Sequence, residues 1–373
     1  MIRIAFYLES WGQGGIETFV MNTVRFLDPQ RFHFDIFCVH DRYDGYDAEI
    51  RALGGTRVTL FKGFRPGLVR RTLSGLTAWS DFLSKGHYDI AHINTMNGVG
   101  FAYAYVASNN GVPVRIVHSH NTKFGSGNRL AKTVVHNAGK ELFSKYATDN
   151  LACSADAGRY LFDEDPCIVL PNAINIDEYR YSPESRSRVR DGLGVSESTL
   201  LFGNIGRINN IKNSTYQLRV LETLIKHGVD AKLLFVGSGE LVEEIRRQSH
   251  DLEMADRLLI QKPTQDVCPY YNALDVFSLP SLYEGMPFSA IEAQASGLPC
   301  VYSTNVPKEI DITDTGRFLE ISDDVEEWAK AIVRAYGKGR FNDNPRLLEE
   351  RGYSAEANAE LLMQHYEKLM GRA

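Results

Sequence analysis

Short apolar runs alternate with longer amphipathic stretches along this chain, and the alternation is played through twice. Residues 2–8, 34–39, 58–61, 90–94, 115–118 and 151–152 read as strands, while stretches such as 17–27 and 78–84 carry helical spacing. After a Pro- and Asn-containing link, LPNAINI at 170–176, the pattern restarts with strand candidates at 200–205, 232–236, 258–261, 276–280 and 299–303. Strand–helix alternation predicts parallel sheets covered by helices, an α/β fold. A chain of 373 residues suits two such halves better than one core. The division predicted is 1–172 and 173–354. Residues 355–373, whose apolar positions recur at helical spacing, are expected to pack back on the first half.

Ligands of open α/β sheets bind beyond the carboxyl ends of the strands, so the chemistry is expected in strand-to-helix loops. A net charge of −6 gives no global attraction to nucleic acid, and any anionic ligand needs a local positive site. The five cysteines are odd in number and scattered with no CxxC pair, which argues against a disulfide framework or zinc site and for a reducing compartment. Residues 2–7, IRIAFY, look like a buried strand rather than a leader, and no apolar run approaches the ~18 residues of a membrane span. A cytoplasmic protein is expected, touching a membrane only from the cytosolic face.

Three loops carry the chemistry. The first, Ser10-Trp-Gly-Gln-Gly-Gly-Ile-Glu17, places Gly14 and Gly15 where backbone N–H groups can approach an anion at a helix start. It is not a dinucleotide fingerprint: Glu17 stands where the third glycine should, and no acidic residue sits convincingly at the end of strand two. A turn that merely needs glycine is the competing reading. The second, Gly203-Asn-Ile-Gly206-Arg207-Ile-Asn-Asn-Ile-Lys212-Asn213, sets two cations five residues apart across a turn. Arg207 as a planar fork and Lys212 as a point charge could converge on a pyrophosphate and stabilise a leaving diphosphate without a metal. A solvated basic turn is the bland alternative.

The third loop, Leu279-Pro-Ser-Leu-Tyr-Glu-Gly-Met-Pro-Phe-Ser-Ala-Ile-Glu-Ala293, is the most informative. Pro287 suits a first helical turn, having no N–H to lose. The amides of Gly285, Met286, Phe288 and Ser289 would then point at an anion along the helix dipole. Glu284 can accept from sugar hydroxyls. Glu292, eight residues on among small and apolar neighbours, can take the vicinal ribose diol with two carboxylate oxygens.

This Glu284–Glu292 spacing resembles the E-x7-E motif of retaining GT-B glycosyltransferases of family 4. Arg207 and Lys212 resemble that family's diphosphate-binding pair, Gly14-Gly15 its first loop, and PNAIN its hinge, so the resemblance runs nearly end to end. The tract His118-Ser-His-Asn-Thr122 further resembles polysaccharide-assembly members. The resemblance implies two Rossmann-like domains facing across a cleft, a nucleotide-diphosphate-sugar donor (a UDP-sugar), a saccharide or lipid-linked saccharide acceptor, and no metal or other cofactor. Transfer would retain the anomeric configuration, with the leaving diphosphate oxygen taking the acceptor proton. One histidine would contact the donor sugar or reacting centre. His120 is favoured over His118, the two being expected on opposite faces of a continuing strand.

Asp163-Glu-Asp165 is a DxD, but it leads into a strand and precedes Pro166, so an acidic turn is expected rather than a metal site. Competing functions are a UDP-GlcNAc 2-epimerase of the same fold, a non-catalytic nucleotide-sugar sensor and a nicotinamide dehydrogenase, the last opposed by the failed glycine fingerprint. Basic and apolar residues mix at Lys62-Gly-Phe-Arg65, at Leu68-Val-Arg-Arg71 and at Lys123–Arg129 with Lys132, a composition that suits an anionic membrane surface.

Overall fold

The computed structural model describes residues 1–12, 14–41, 45–122, 129–322 and 324–371. Two compact units emerge, Met1–Ala173 with Ala355–Ala373, and Ile174–Ser354. The first is built on strands β1 (Ile2–Trp11), β2 (Phe32–Asp41), β3 (Thr56–Phe61), β4 (Ile90–Thr95), β5 (Val114–Ser119), β6 (Asp149–Ala152) and β7 (Ile168–Val169). They form a parallel sheet in the order β3-β2-β1-β4-β5-β6-β7. Its helices are α1 (Gly15–Val24), α2 (Asp47–Ala52), α3 (Leu68–Gly86), α4 (Gly100–Asn109), α5 (Arg129–Phe143) and α6 (Ala155–Phe162).

The second unit repeats the plan with β8 (Leu200–Ile205), β9 (Ala231–Val236), β10 (Leu258–Gln261), β11 (Val276–Leu279), β12 (Cys300–Ser303) and β13 (Arg317–Leu319), in the order β10-β9-β8-β11-β12-β13. Helices α7 (Pro183–Leu193), α8 (Ser214–Lys226), α9 (Val242–Asp251), α10 (Cys268–Ala273), α11 (Phe288–Ala295), α12 (Glu326–Lys338) and α13 (Asn344–Glu350) surround it. A last helix, α14 (Ala355–Leu369), returns to the first unit and packs on α1. Arg31 anchors it through Glu367 at 2.7 Å.

Central strands such as β4 and β8 are buried along their whole length, as a parallel sheet covered on both faces requires. Trp79 and Trp328 fill the two cores at 0% and 1% exposure. Fully burying such apolar side chains stabilises by about 1.5–3 kcal/mol each. Two edge strands escape the sequence reading. β7 and β13 are two and three residues long and pair on one side only, too short for a strand period to show. The helix expected at 78–84 instead runs from Leu68, because its first turns are exposed and carry no buried stripe.

In each sheet the strand order reverses direction at one place, between β1 and β4 and between β8 and β11. Ligands of doubly wound sheets bind at such switch points. The loops after β8 and β11 leave adjacent, hydrogen-bonded strands, with Val276 paired to Phe202 and Phe277 to Gly203.

Candidate functional site

The loop leaving β8 is held by backbone geometry. Gly206 has φ 142°, a conformation that favours glycine. Its carbonyl oxygen would lie only 1.9 Å from a Cβ on Gly237, so two glycines let the loops after β8 and β9 cross. Asn209 Oδ1 accepts from Lys212 N at 2.9 Å, and Asn213 turns left-handed (φ 53°) to start α8. Leu282 N donates to Ile211 O at 2.8 Å, tying this loop to the one after β11.

That tie brings the two predicted functional loops into side-chain contact. Lys212 Nζ lies 2.8 Å from Glu284 Oε1, which also accepts from Ser281 Oγ at 2.8 Å. Arg207 is exposed on the same loop as Lys212. Helix α11 begins at Phe288 with Pro287 as its extended N-cap and no side-chain cap hydrogen bond. Pro287 therefore stands one position earlier than the first-turn placement expected, and the amides of Phe288 and Ser289 lack a capping side chain. The side chains of Met286 and Phe288 are buried. A Cβ on Gly285 would meet nothing within 4 Å, which leaves open space in front of this turn.

Glu292 lies inside α11 and is 8% exposed. Tyr271 OH donates to its Oε2 at 2.6 Å and Tyr179 OH to its Oε1 at 3.1 Å. Burial pushes its carboxyl above the usual range, while the two phenols and the Lys212 charge pull it back. Sequence reasoning singles out Glu292 but neither tyrosine. Their positions, 113 and 21 residues earlier, carry no spacing signal.

In the first unit, Gly14 is the uncapped N-cap of α1 and Gly15 its exposed first residue. Glu17 folds back over this turn: its Oε2 would lie 2.7 Å from a Cβ on Gly14. The expectation about the end of strand two is corrected, for β2 does end on an acid, Asp41. That carboxylate is already taken by Arg57 at 3.1 Å and by the Gly63 N–H at 2.7 Å.

The two histidines also require a correction. Residues two apart in an extended chain share a face rather than opposing each other. The rings of His118 and His120 accordingly lie side by side, 4.0 Å between centroids, against Phe19. β5 ends at Ser119; His118 is fully buried, and His120, just beyond the strand, is partly accessible. His118 Nδ1 lies 3.1 Å from His92 Nε2, whose Nδ1 meets Tyr366 OH at 2.6 Å. Burial pushes His92 down to about 3 and lowers His118 and His120 as well, so all three are neutral at physiological pH. Asn94 Nδ2 donates to Tyr7 O at 3.3 Å, which turns its Oδ1 toward His120 Nε2 at 2.9 Å. That amide orientation puts the His120 proton on Nε2 and leaves Nδ1 as an acceptor.

Asp163 caps α6 in a left-handed conformation, with Lys140 Nζ 2.6 Å from its carboxylate. Among the described residues no group of three His, Cys, Asp or Glu is disposed to hold a metal ion. Of the basic tract, Arg71 is mostly buried and paired to Glu9 at 2.7 Å, and Arg70 lies over the Phe61 ring. Residues 123–128 of the later tract lie outside the described residues, as does the side chain of Arg129.

Two units, each a parallel sheet with alternating helices, are the architecture of the GT-B class of sugar-transferring enzymes. The chain belongs to the family 4 glycosyltransferases: the Glycosyltransferase Family 4 model matches residues 13–178 and the Glycosyl transferases group 1 model residues 199–338. It is 29% identical over 372 residues to the putative glycosyltransferase EpsF of Bacillus subtilis (strain 168), covering 98% of this chain and 96% of that one. It is 26% identical over 347 residues to the UDP-Gal:alpha-D-GlcNAc-diphosphoundecaprenol alpha-1,3-galactosyltransferase of Escherichia coli, covering 86% and 84%. The fold superposes on Anabaena HepE in complex with UDP and glucose with a TM-score of 0.78 at 15% identity, over 99% and 100% of the chains. The protein is a glycosyltransferase.

Proposed function

We propose that this enzyme is a retaining, metal-independent transferase that moves sugar from a UDP-sugar to a saccharide carried on a polyprenyl diphosphate. The observation that carries the donor reading is the Lys212–Glu284 pair, 2.8 Å apart, with Glu284 four residues before the uncapped start of α11. As the glycosidic bond breaks, negative charge grows on the leaving diphosphate oxygen. Lys212, Arg207 and the α11 amides would meet that charge, and such preorganised donors act without reorganising during the reaction. The acceptor hydroxyl attacks from the leaving-group face, and its proton passes to the diphosphate oxygen. Glu284 holds donor-sugar hydroxyls and Glu292 the ribose diol.

The uridine nucleotide and the lipid diphosphate are drawn from relatives. The E. coli galactosyltransferase is named for both, and HepE was solved with UDP. A cytosolic membrane surface fits the start of α3, where Leu68, Val69 and Leu73 are exposed beside Phe64, Lys62 and Arg70. No described helix is long and apolar enough to cross a membrane.

Thermal-shift screening of nucleotide sugars, followed by NMR of the product with and without a lipid-linked acceptor, tests the reading. Stabilisation by a UDP-sugar and a product of retained configuration are expected. An inverted anomer, or an epimerised sugar formed without acceptor, would overturn it.

A further inference from the structure

Among the described residues, the carboxylate of Glu292 meets two phenols and no cation at hydrogen-bonding distance. An ionised carboxylate offers about four lone-pair sites, two on each oxygen. Tyr271 occupies one site on Oε2 and Tyr179 one on Oε1, so one remains on each oxygen. That leaves two acceptors on one rigid group, the arrangement a vicinal diol requires. We propose that Tyr179 and Tyr271 are positioning residues that hold Glu292 in this two-acceptor state and so set the enzyme's preference for ribonucleotide over deoxyribonucleotide donors. The inference rests on the reading of Glu292 as the ribose-diol acceptor.

The surroundings of the two tyrosines fit such a role. Tyr271 is fully buried on the short helix α10. Arg340 Nη2 donates to the carbonyl oxygens of Tyr271, Asn272 and Leu274 at 2.8, 2.7 and 2.7 Å, and Arg190 Nη1 to that of Ala273 at 2.9 Å. These guanidinium bonds hold the C-terminal end of α10, where orphan carbonyls gather. Tyr179 ends the turn Ile176–Tyr179, at the start of the second unit, and its ring packs edge-on against Tyr271 with centroids 5.9 Å apart. Other groups act on Glu292 only through space. Lys212 favours the charged form, and the Cys268 thiol, pushed up by burial to about 11, is neutral.

The phenols also act on ionisation. Each donates to the charged form and therefore opposes the upward push of burial. UDP affinity should fall as pH drops through the Glu292 titration, because a protonated carboxyl loses an acceptor. Removing either phenol lets the carboxyl rise further, so the fall should begin at higher pH.

The test measures binding of UDP and of 2′,3′-dideoxy-UDP by calorimetry across pH for the wild type, Tyr271→Phe and Tyr179→Phe. Phenylalanine keeps each ring, and thermal denaturation checks the fold. Wild type is expected to prefer UDP by about 10–100-fold, the range for hydrogen bonds to a charged group. In the variants that preference should shrink by about tenfold, through weaker UDP binding alone, and the pH midpoint should move up. Equal binding of the two nucleotides by wild type would remove the diol reading and this inference with it. A wild-type preference that both variants retain in full, an equal loss for both nucleotides, or a gain in UDP affinity in Tyr179→Phe would overturn the inference and leave the diol reading standing.

Discussion

The ammonium of Lys212 is held 2.8 Å from the carboxylate of Glu284, both side chains mostly buried at 15% and 13% exposure. Read along the chain, these residues have separate tasks, diphosphate and sugar, on loops more than 70 positions apart. Their contact means that the lysine is oriented before donor arrives. Lys212→Ala should therefore lower kcat by about 10²-fold, the cost of losing one preorganised donor to developing charge. UDP affinity should weaken far less, since the charge grows on the way to the transition state. Steady-state kinetics beside calorimetry decide this. An unchanged kcat would remove Lys212 from the reaction.

Two glycines should respond in opposite ways. Gly285→Ala places its methyl in open space, so thermal stability should stay within about 0.5 kcal/mol of wild type, as for ordinary surface substitutions. Donor KM should nonetheless rise, because that space is where the proposed function puts the nucleotide sugar. Gly237→Ala would set a Cβ 1.9 Å from Gly206 O at positive φ and should destabilise the fold by several kcal/mol. Denaturation and kinetics on the two variants separate ligand space from loop crossing; a Gly285→Ala enzyme with normal donor KM would count against the site.

Turnover should persist in EDTA if, as proposed, positive charge is supplied by Lys212, Arg207 and a helix N-terminus. Activity abolished by chelation and restored by Mn²⁺ or Mg²⁺ would contradict this.

The buried histidines make stability pH-dependent. His92 sits at about 3 in the folded chain, whereas an unfolded histidine titrates near 6.5. As pH falls below about 6.5 the unfolded chain binds a proton that the folded one excludes, so stability drains away between about 6.5 and about 3. At pH 5 His92 alone accounts for about 2 kcal/mol. In His92→Gln the difference in unfolding free energy between pH 7.5 and pH 5 should shrink by about that amount. An unaltered difference would show that His92 is protonated in the fold.

Binding to anionic vesicles should weaken with salt and fall when Lys62, Arg65 and Arg70 become Gln. Arg71→Gln should act instead on the fold of this region, because its charge is spent on Glu9 at 2.7 Å. Co-sedimentation indifferent to lipid charge and to all these changes would sink the membrane proposal and leave sugar transfer untouched.

Much of this protein is determined locally and was legible in order along the chain. Strand-length apolar runs between amphipathic stretches dictate parallel sheets because a buried strand must be apolar on both faces. The residues around Gly206, Glu284 and Glu292 declare themselves because loop and helix-start chemistry is written in adjacent positions. The edge strands β7 and β13 were not legible, since two or three residues paired on one side leave no pattern. Asp41 lies beyond the apolar run that marks β2, and only the fold shows that the strand runs on to it and that Arg57 has claimed it. The phenols on Glu292, the histidine chain ending on Tyr366, and the Lys212–Glu284 contact join residues 21 to 274 positions apart. Sequence spacing carries no information about such pairs. Strand order decides them, by setting which loops leave neighbouring strands and which buried polar atoms must then satisfy one another.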